Sequence, residues 1–481
     1  MVIISPLLSF SALSNPTVAF PTMIAPAAQR SPSELRRLPS HYRPLRCPAR
    51  ISKCFSQKQS TEGLERLFSN LNQATMEHEP GSVTSAIFLV AGTTVGAGIL
   101  AIPAVTQEAG FLASAVTCIL CWIYMVVTGL LIAEVNVNTM CELGSGGVSL
   151  VSMAMRTLGK IGVQAACWSY IFIHYALLVA YVARSSEIVT NTFGIPLYIL
   201  VYYHRWESAT LFSLVFGGIC YFGSQRLIGA VNGFLVFGIL ISFTSLVGVA
   251  SGNLQWSSLL QAHVEAIPQS IPIIALAFVY QNVVPVLCTN LEGNLSKVRT
   301  AIVLGTAIPL ILFLIWDAVI LGSMPNLAAS GTEIIDPLEQ LRSSNGIVGP
   351  IVDVFSFLAI ATSYIGFVLG LSDFVADLLR LPSGQSKPLP YVLTLLPPLV
   401  LALLDPEIFF KALDFAGTYG VLVLFGVLPA AMSWSERYSD SSQSPPLPPL
   451  VPGGRFTLSL VAGGALLVIV TEIFKDVMHL Q

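Results

Sequence analysis

The feature that most constrains this chain is a recurring apolar run. From Val83 to Phe474, stretches close to the ~20 residues a helix needs to cross a bilayer follow one another, separated by short polar loops. Roughly eleven can be placed, near 83–108, 111–137, 160–183, 207–223, 226–250, 268–291, 299–322, 347–377, 388–404, 407–433 and 456–474. Composition agrees, since 54% of the residues are hydrophobic, 10% are charged and the mean hydropathy is +0.76. Soluble domains carry about a quarter charged residues, so lipid must cover most of this surface. The expected fold is an all-α integral membrane protein of about eleven transmembrane helices.

Residues 1–82 are of another kind. They hold nine Lys and Arg against five Asp and Glu, whereas the remainder holds fourteen against twenty-one. Within 1–61 the single acidic residue is Glu34, against eight basic ones and many Ser and Pro. That is the acid-poor, Ser- and Arg-rich composition of an organelle transit peptide, expected over 1–60 with removal around Cys54; a disordered tail is the other reading. The first basic residue is Arg30, which does not fit the basic start of a secretory signal. A polar segment 61–82 follows, then five spans over 83–250, five over 268–433, a linker 434–455 containing Pro-Pro-Leu-Pro-Pro, and a last span 456–474.

Loop charge supplies an orientation. The loops on the side of the N-terminus hold nine cations (Arg156, Lys160, Arg226, Lys297, Arg299, Arg380, Lys387, Arg437, Arg455) and the other side five (Arg184, Arg205, Arg342, Lys411, Lys475). The positive-inside bias therefore places the N-terminus on the cytoplasm-equivalent side. The eight cysteines, Cys118 and Cys121 among them, fall mostly inside apolar runs and read as small packing residues.

Two spans are interrupted. The first carries Gly92, Gly96 and Gly98 with Thr93 and Thr94, then Pro103, and should unwind midway. Unwinding in lipid leaves backbone groups unpaired at several kcal/mol each, so it is tolerated only where the backbone is buried in protein or lines a wet cavity. A packing face of small residues at Gly92 and Gly96 is the competing reading. The second interruption lies in Ile271 to Leu291, where Tyr280, Gln281, Asn282 and Pro285 fall at mid-membrane. These breaks open spans one and six, so the chain reads as two five-span halves, each led by a discontinuous helix. Freed amides can hold a substrate carboxylate and freed carbonyls an ammonium, which matches an amino acid. The candidate substrate-binding residues are Gly92, Thr93, Thr94, Gly96, Ala97, Gly98, Tyr175, Phe278, Tyr280, Gln281 and Asn282.

The run Gly-Thr-Thr-Val-Gly-Ala-Gly-Ile-Leu-Ala-Ile-Pro, Gly92 to Pro103, resembles the first-helix motif of bacterial tryptophan- and tyrosine-specific permeases, the hydroxy and aromatic amino acid permease family. Glu134-Val135-Asn136, the run Leu358 to Gly370, and Ser372-Asp373-Phe374 followed by Asp377 extend the resemblance over 83–474. With its N-terminal extension the chain is most similar to the plant, plastid-targeted tyrosine-specific transport proteins of that family. The resemblance implies a LeuT-type 5+5 inverted repeat with discontinuous helices 1 and 6, and proton-coupled symport. In a LeuT-type fold Tyr170 and Tyr175 would face the first break. The chain departs from the pattern at Tyr280-Gln281-Asn282, where bacterial members have a Phe-His-His-like stretch.

Polar groups at membrane depth are functional candidates by default. Asp317, Asp353 and His174 are candidate proton carriers, and Thr362 and Ser363 form a hydroxyl pair of the kind that binds sodium in related folds. Glu134 sits near a span end, where an interfacial carboxylate is the plain expectation. There is no Walker loop, His-Glu-x-x-His or Gly-x-Ser-x-Gly, so no enzyme is expected. The reading is a secondary active carrier of an aromatic amino acid such as tyrosine or tryptophan in a plastid inner envelope, with the mitochondrial inner membrane as alternative. It would be driven by a proton gradient, or by sodium if the cargo is another neutral amino acid, with no cofactor, metal or nucleic-acid partner; an ion channel is the remaining reading.

Overall fold

Lipid offers no hydrogen bonds, so each apolar run has to pair its own amides and carbonyls as helix. The computed structural model describes residues 82–143, 148–193, 201–323, 348–379, 388–405, 407–438 and 447–479. The segments expected as transit peptide and as polar lead, 1–81, lie outside the described residues, as do 439–446 of the linker and Arg342, Arg380 and Lys387.

In chain order the main helices are α1 Val83–Thr94, α2 Gly98–Thr106, α3 Phe111–Leu143, α4 Leu150–Phe193, α5 Val201–Phe222, α6 Gln225–Ala250, α7 Ile267–Ala277, α8 Val284–Asn290, α9 Leu295–Gly322, α10 Val348–Leu378, α11 Pro388–Leu404, α12 Phe409–Phe415, α13 Leu428–Tyr438 and α14 Gly454–His479. Between α12 and α13, Ala416–Val427 winds as a π-helix. Among the described residues eight helices are long and apolar enough to cross a membrane, and α1 with α2, bent by 55° at their break, make a ninth. Local chemistry sets several ends: Ser82, Ser224 and Asn294 accept the amides of Ser85, Leu227 and Lys297 and so cap α1, α6 and α9. The third run, read as beginning near 160, starts earlier: α4 begins at Leu150 and kinks at Gly159, whose φ of 66° only glycine adopts easily.

The helices pack as two interleaved sets. In one, α1 and α3 pack along α9, α2 lies on α7 and α9, and α8 rests on α3. In the other, α4 packs against α5, α10 and α11, and α6 packs along α10. The π-helical stretch touches both, meeting α4 on one side and α7 on the other. Gly417 allows this approach, because a Cβ there would lie 2.3 Å from the Pro272 carbonyl oxygen of α7.

Glu134, in the C-terminal third of α3, is buried within the protein. Arg437 of α13 grips it with both arms, Nε to Oε1 and Nη2 to Oε2 at 2.7 Å each. The Leu450 amide donates to Oε2 at 2.8 Å and Arg437 also reaches the Val451 carbonyl, so the end of the linker is docked on the same pair. Beside it Arg156 of α4 pairs with Glu142 and Glu436. Two cations counted as loop charges thus fasten α3, α4 and α13 together. Removing one partner of a buried pair strands the other charge. Glu134→Gln is therefore expected to lower stability by about 3 kcal/mol, read as an earlier unfolding midpoint in detergent, and Arg437→Lys should not restore the two-armed contact.

Candidate functional site

The first break is built by what its backbone does not bond. Val95 closes α1 by donating to Ala91, and Ile99 and Leu100 open α2 by donating to Gly96 and Ala97 with short-range bonds. The carbonyls of Gly92, Thr93, Thr94 and Val95 and the amides of Gly96 and Gly98 are left without a partner among the described residues. The Thr93 and Thr94 hydroxyls donate back to Leu89 and Val90, so they cover the last turn of α1. The Ala97 amide is taken by Ser363 Oγ of α10 at 3.0 Å.

The second break is organised differently. After α7 the Tyr280 amide donates to its neighbour's Gln281 Oε1 at 3.0 Å. Gln281 Nε2 reaches Thr128 Oγ1 and the Met125 carbonyl of α3, and the Tyr280 hydroxyl donates to the same carbonyl at 3.0 Å. Gly129 is the seat of that ring, since a Cβ there would stand 2.0 Å from Tyr280 Oη. Phe278 turns to Phe313 of α9, with ring centroids 5.1 Å apart. The side chains of Phe278, Tyr280 and Gln281 therefore point into the α3 and α9 side. The carbonyls of Ala277, Phe278 and Val279 and the amides of Gln281 and Asn282 have no backbone partner among the described residues. The Asn282 Oδ1 is likewise buried without one.

The two breaks adjoin. A Cβ on Gly98 would lie 3.0 Å from Ala277 Cα, so only glycine lets the start of α2 rest on the end of α7. The positive N-terminal end of α2 and the negative C-terminal ends of α1 and α7 thus converge, with free amides on one side and free carbonyls on the other. Such a place can hold a zwitterion.

The other candidates are distributed around it. Tyr175 donates to the Leu393 carbonyl at 2.7 Å, which turns it to α11. His174 is buried with Nδ1 at 2.8 Å from the Tyr170 carbonyl, its ring lying 3.8 Å from Tyr170 and 4.9 Å from Phe367, and Nε2 has no partner among the described residues. The Thr362 hydroxyl donates to Leu358 of its own helix. Asp353 is half-buried on α10. Asp317 of α9 is fully buried with Oδ1 at 2.7 Å from Thr106 Oγ1, at the end of α2. Sequence reasoning missed Gly129, Met125 and Thr128, which hold the second break, and placed Tyr181 only as a tyrosine flanking His174, whereas its hydroxyl lies beside Ser363. Only the helical spacing of Tyr170, His174 and Tyr181 along one face hinted at the last.

Multiple apolar helices with two adjoining interruptions define a multi-pass membrane protein whose polar backbone meets inside the helix bundle. The tryptophan/tyrosine permease family matches residues 79–472, and the chain belongs to that family. It is a permease and not an enzyme. It is 31% identical over 395 residues to the "Tyrosine-specific transport system 2" of Haemophilus influenzae, covering 77% of this chain and 91% of that protein. A "Tryptophan-specific transport protein" of the same organism is 24% identical over 418 residues (83% and 97% covered), and a "Low affinity tryptophan permease" of Escherichia coli 24% over 388 (77% and 91%).

The glycines separate by their surroundings. Gly92 is exposed with nothing within 4 Å of an added Cβ, whereas Gly98 and Gly129 face backbone or a pinned ring. Gly92→Ala should keep transport within about two-fold, while Gly98→Leu and Gly129→Leu should lose it while still inserting in the membrane, checked by uptake alongside surface labelling.

Proposed function

We propose that this chain is a secondary active symporter of aromatic amino acids such as tyrosine or tryptophan, working by alternating access around the two breaks. The observation that carries this reading is the juxtaposition of amides at Gly96 and Gly98 with carbonyls at Thr93 to Val95 and Ala277 to Val279, all without a backbone partner among the described residues. A carboxylate and an ammonium on one carbon match both. The names of the bacterial relatives supply the aromatic side chain. With α5 and α11 counted beside the nine apolar spans the chain has eleven, the number a LeuT-type 5+5 repeat with one further helix calls for. Its symmetry is supported by the packing, because each half contributes its first two spans to one set and the next three, or two of them, to the other.

Proton coupling fits better than sodium. Thr106 Oγ1 lies 2.7 Å from both the Ile102 carbonyl oxygen and Asp317 Oδ1, and one hydroxyl hydrogen cannot serve both. Both bonds are made when the carboxyl carries a proton and donates to Thr106. No cation pairs with Asp317 among the described residues. Of the hydroxyl pair considered for sodium, Thr362 donates to Leu358 of its own helix and Ser363 accepts the Ala97 amide, so the preference for a proton rests on Asp317. The N-terminal composition points the carrier to the plastid inner envelope.

In liposomes containing the protein from residue 61, labelled tyrosine or tryptophan should accumulate under an imposed proton gradient and not under sodium alone. Failure with every aromatic amino acid would sink the reading. Asp317→Asn, which keeps a donor for Thr106 but carries no exchangeable charge, should abolish gradient-driven accumulation while tyrosine exchange persists; accumulation by the variant rules out this carboxyl as the coupling group. Residues 1–60 fused to a fluorescent protein should direct it to plastids, and a cytosolic signal would refute that destination.

A further inference from the structure

We infer that Ser363 is a stand-in for the substrate carboxylate: its hydroxyl oxygen holds the Ala97 amide until a substrate oxygen displaces it, which makes it a determinant of carboxylate affinity. The inference rests on the transport reading above and adds a residue and a competition to it.

Three observations meet at this atom. Ser363 Oγ accepts the Ala97 amide at 3.0 Å, midway between the unpartnered amides of Gly96 and Gly98. The hydroxyls nearest in sequence, Thr93 and Thr94, are turned back to donate to Leu89 and Val90, and it is the Ser363 oxygen that accepts from the Ala97 amide. A Cβ on Gly96 would stand 2.9 Å from Ser363 Oγ, so glycine at that position is what lets α10 bring its hydroxyl to the break. Ala97 and Ser363 belong to different packed sets, and Tyr181 of α4 lies beside the hydroxyl on the second of them.

A buried amide left without an acceptor is costly, so the empty site needs an occupant. A neutral hydroxyl is a weaker acceptor than a carboxylate, whose bonds to amides are roughly twice as strong. Ser363 therefore satisfies Ala97 when the site is empty and yields to the substrate, and that exchange breaks a bond between the two sets at the moment of binding. A ligand whose carboxylate is replaced by a neutral amide offers an acceptor no stronger than the hydroxyl and lacks the charge that drives the exchange.

The test uses the full-length protein in lipid nanodiscs, comparing equilibrium binding of L-tyrosine, L-tryptophan and L-tyrosinamide to wild type and Ser363→Ala. Deleting a competing bond of ordinary strength should tighten L-tyrosine and L-tryptophan about five-fold. L-tyrosinamide binding should not change. In hydrogen exchange, the peptide covering 92–98 should be less protected in ligand-free Ser363→Ala than in ligand-free wild type, and equally protected in both once L-tyrosine is bound. Unchanged or weaker amino acid binding by the variant, an equal gain for L-tyrosinamide, or unchanged exchange at 92–98 overturns the inference alone. Absence of aromatic amino acid binding by the wild type overturns the transport reading and this inference with it.

Discussion

Everything in this protein follows from the need to pair backbone polar groups where no water can. Continuous helix meets it without help, and most of the chain does so. The two breaks within spans among the described residues, around Gly96 and around Tyr280, are handled in different ways. At the second, Gln281 folds back onto the Tyr280 amide and anchors to α3, so the break is held in one geometry by its own helix set. At the first, a hydroxyl comes from the other set. One break is a fixed platform and the other is finished by a group that can leave.

Close approach is the second theme. Gly98 brings α2 onto α7, Gly129 receives the Tyr280 ring and Gly417 admits Pro272, each at a distance a methyl group would forbid. Without a hydrophobic drive between helices in lipid, such fits carry much of the packing. The π-helical stretch Ala416–Val427 touches both sets, and its wider winding sets Gly417 against Pro272 of α7 and Gly420 against Ile173 of α4.

Two buried carboxylates show how surroundings assign roles. Glu134 is gripped by Arg437 and by the Leu450 amide, so its charge is matched and it fastens helices. Asp317 is met, among the described residues, by the Thr106 hydroxyl, which also lies within bonding distance of the Ile102 carbonyl. The first is matched by a cation, and the second meets a hydroxyl in its place among the described residues.

The sequence by itself determined the class and the outline. The apolar runs fell within a few residues of the helices in most cases, because length and hydropathy are local properties that the bilayer reads directly. The interruptions at Gly92 to Gly98 and Tyr280 to Asn282 were legible for the same reason, glycine and polar residues being out of place in a span. What only the tertiary structure decided is what each of those residues does. Gly92, Gly96 and Gly98 look alike in sequence, yet one faces open space, one faces a hydroxyl and one faces backbone. Tyr280 and Gln281 look like ligands for a substrate, yet their side chains are spent on α3. Ser363 lies far along the chain from Ala97, and the partner of a freed amide is set by which helix packs across from it, which no local pattern encodes.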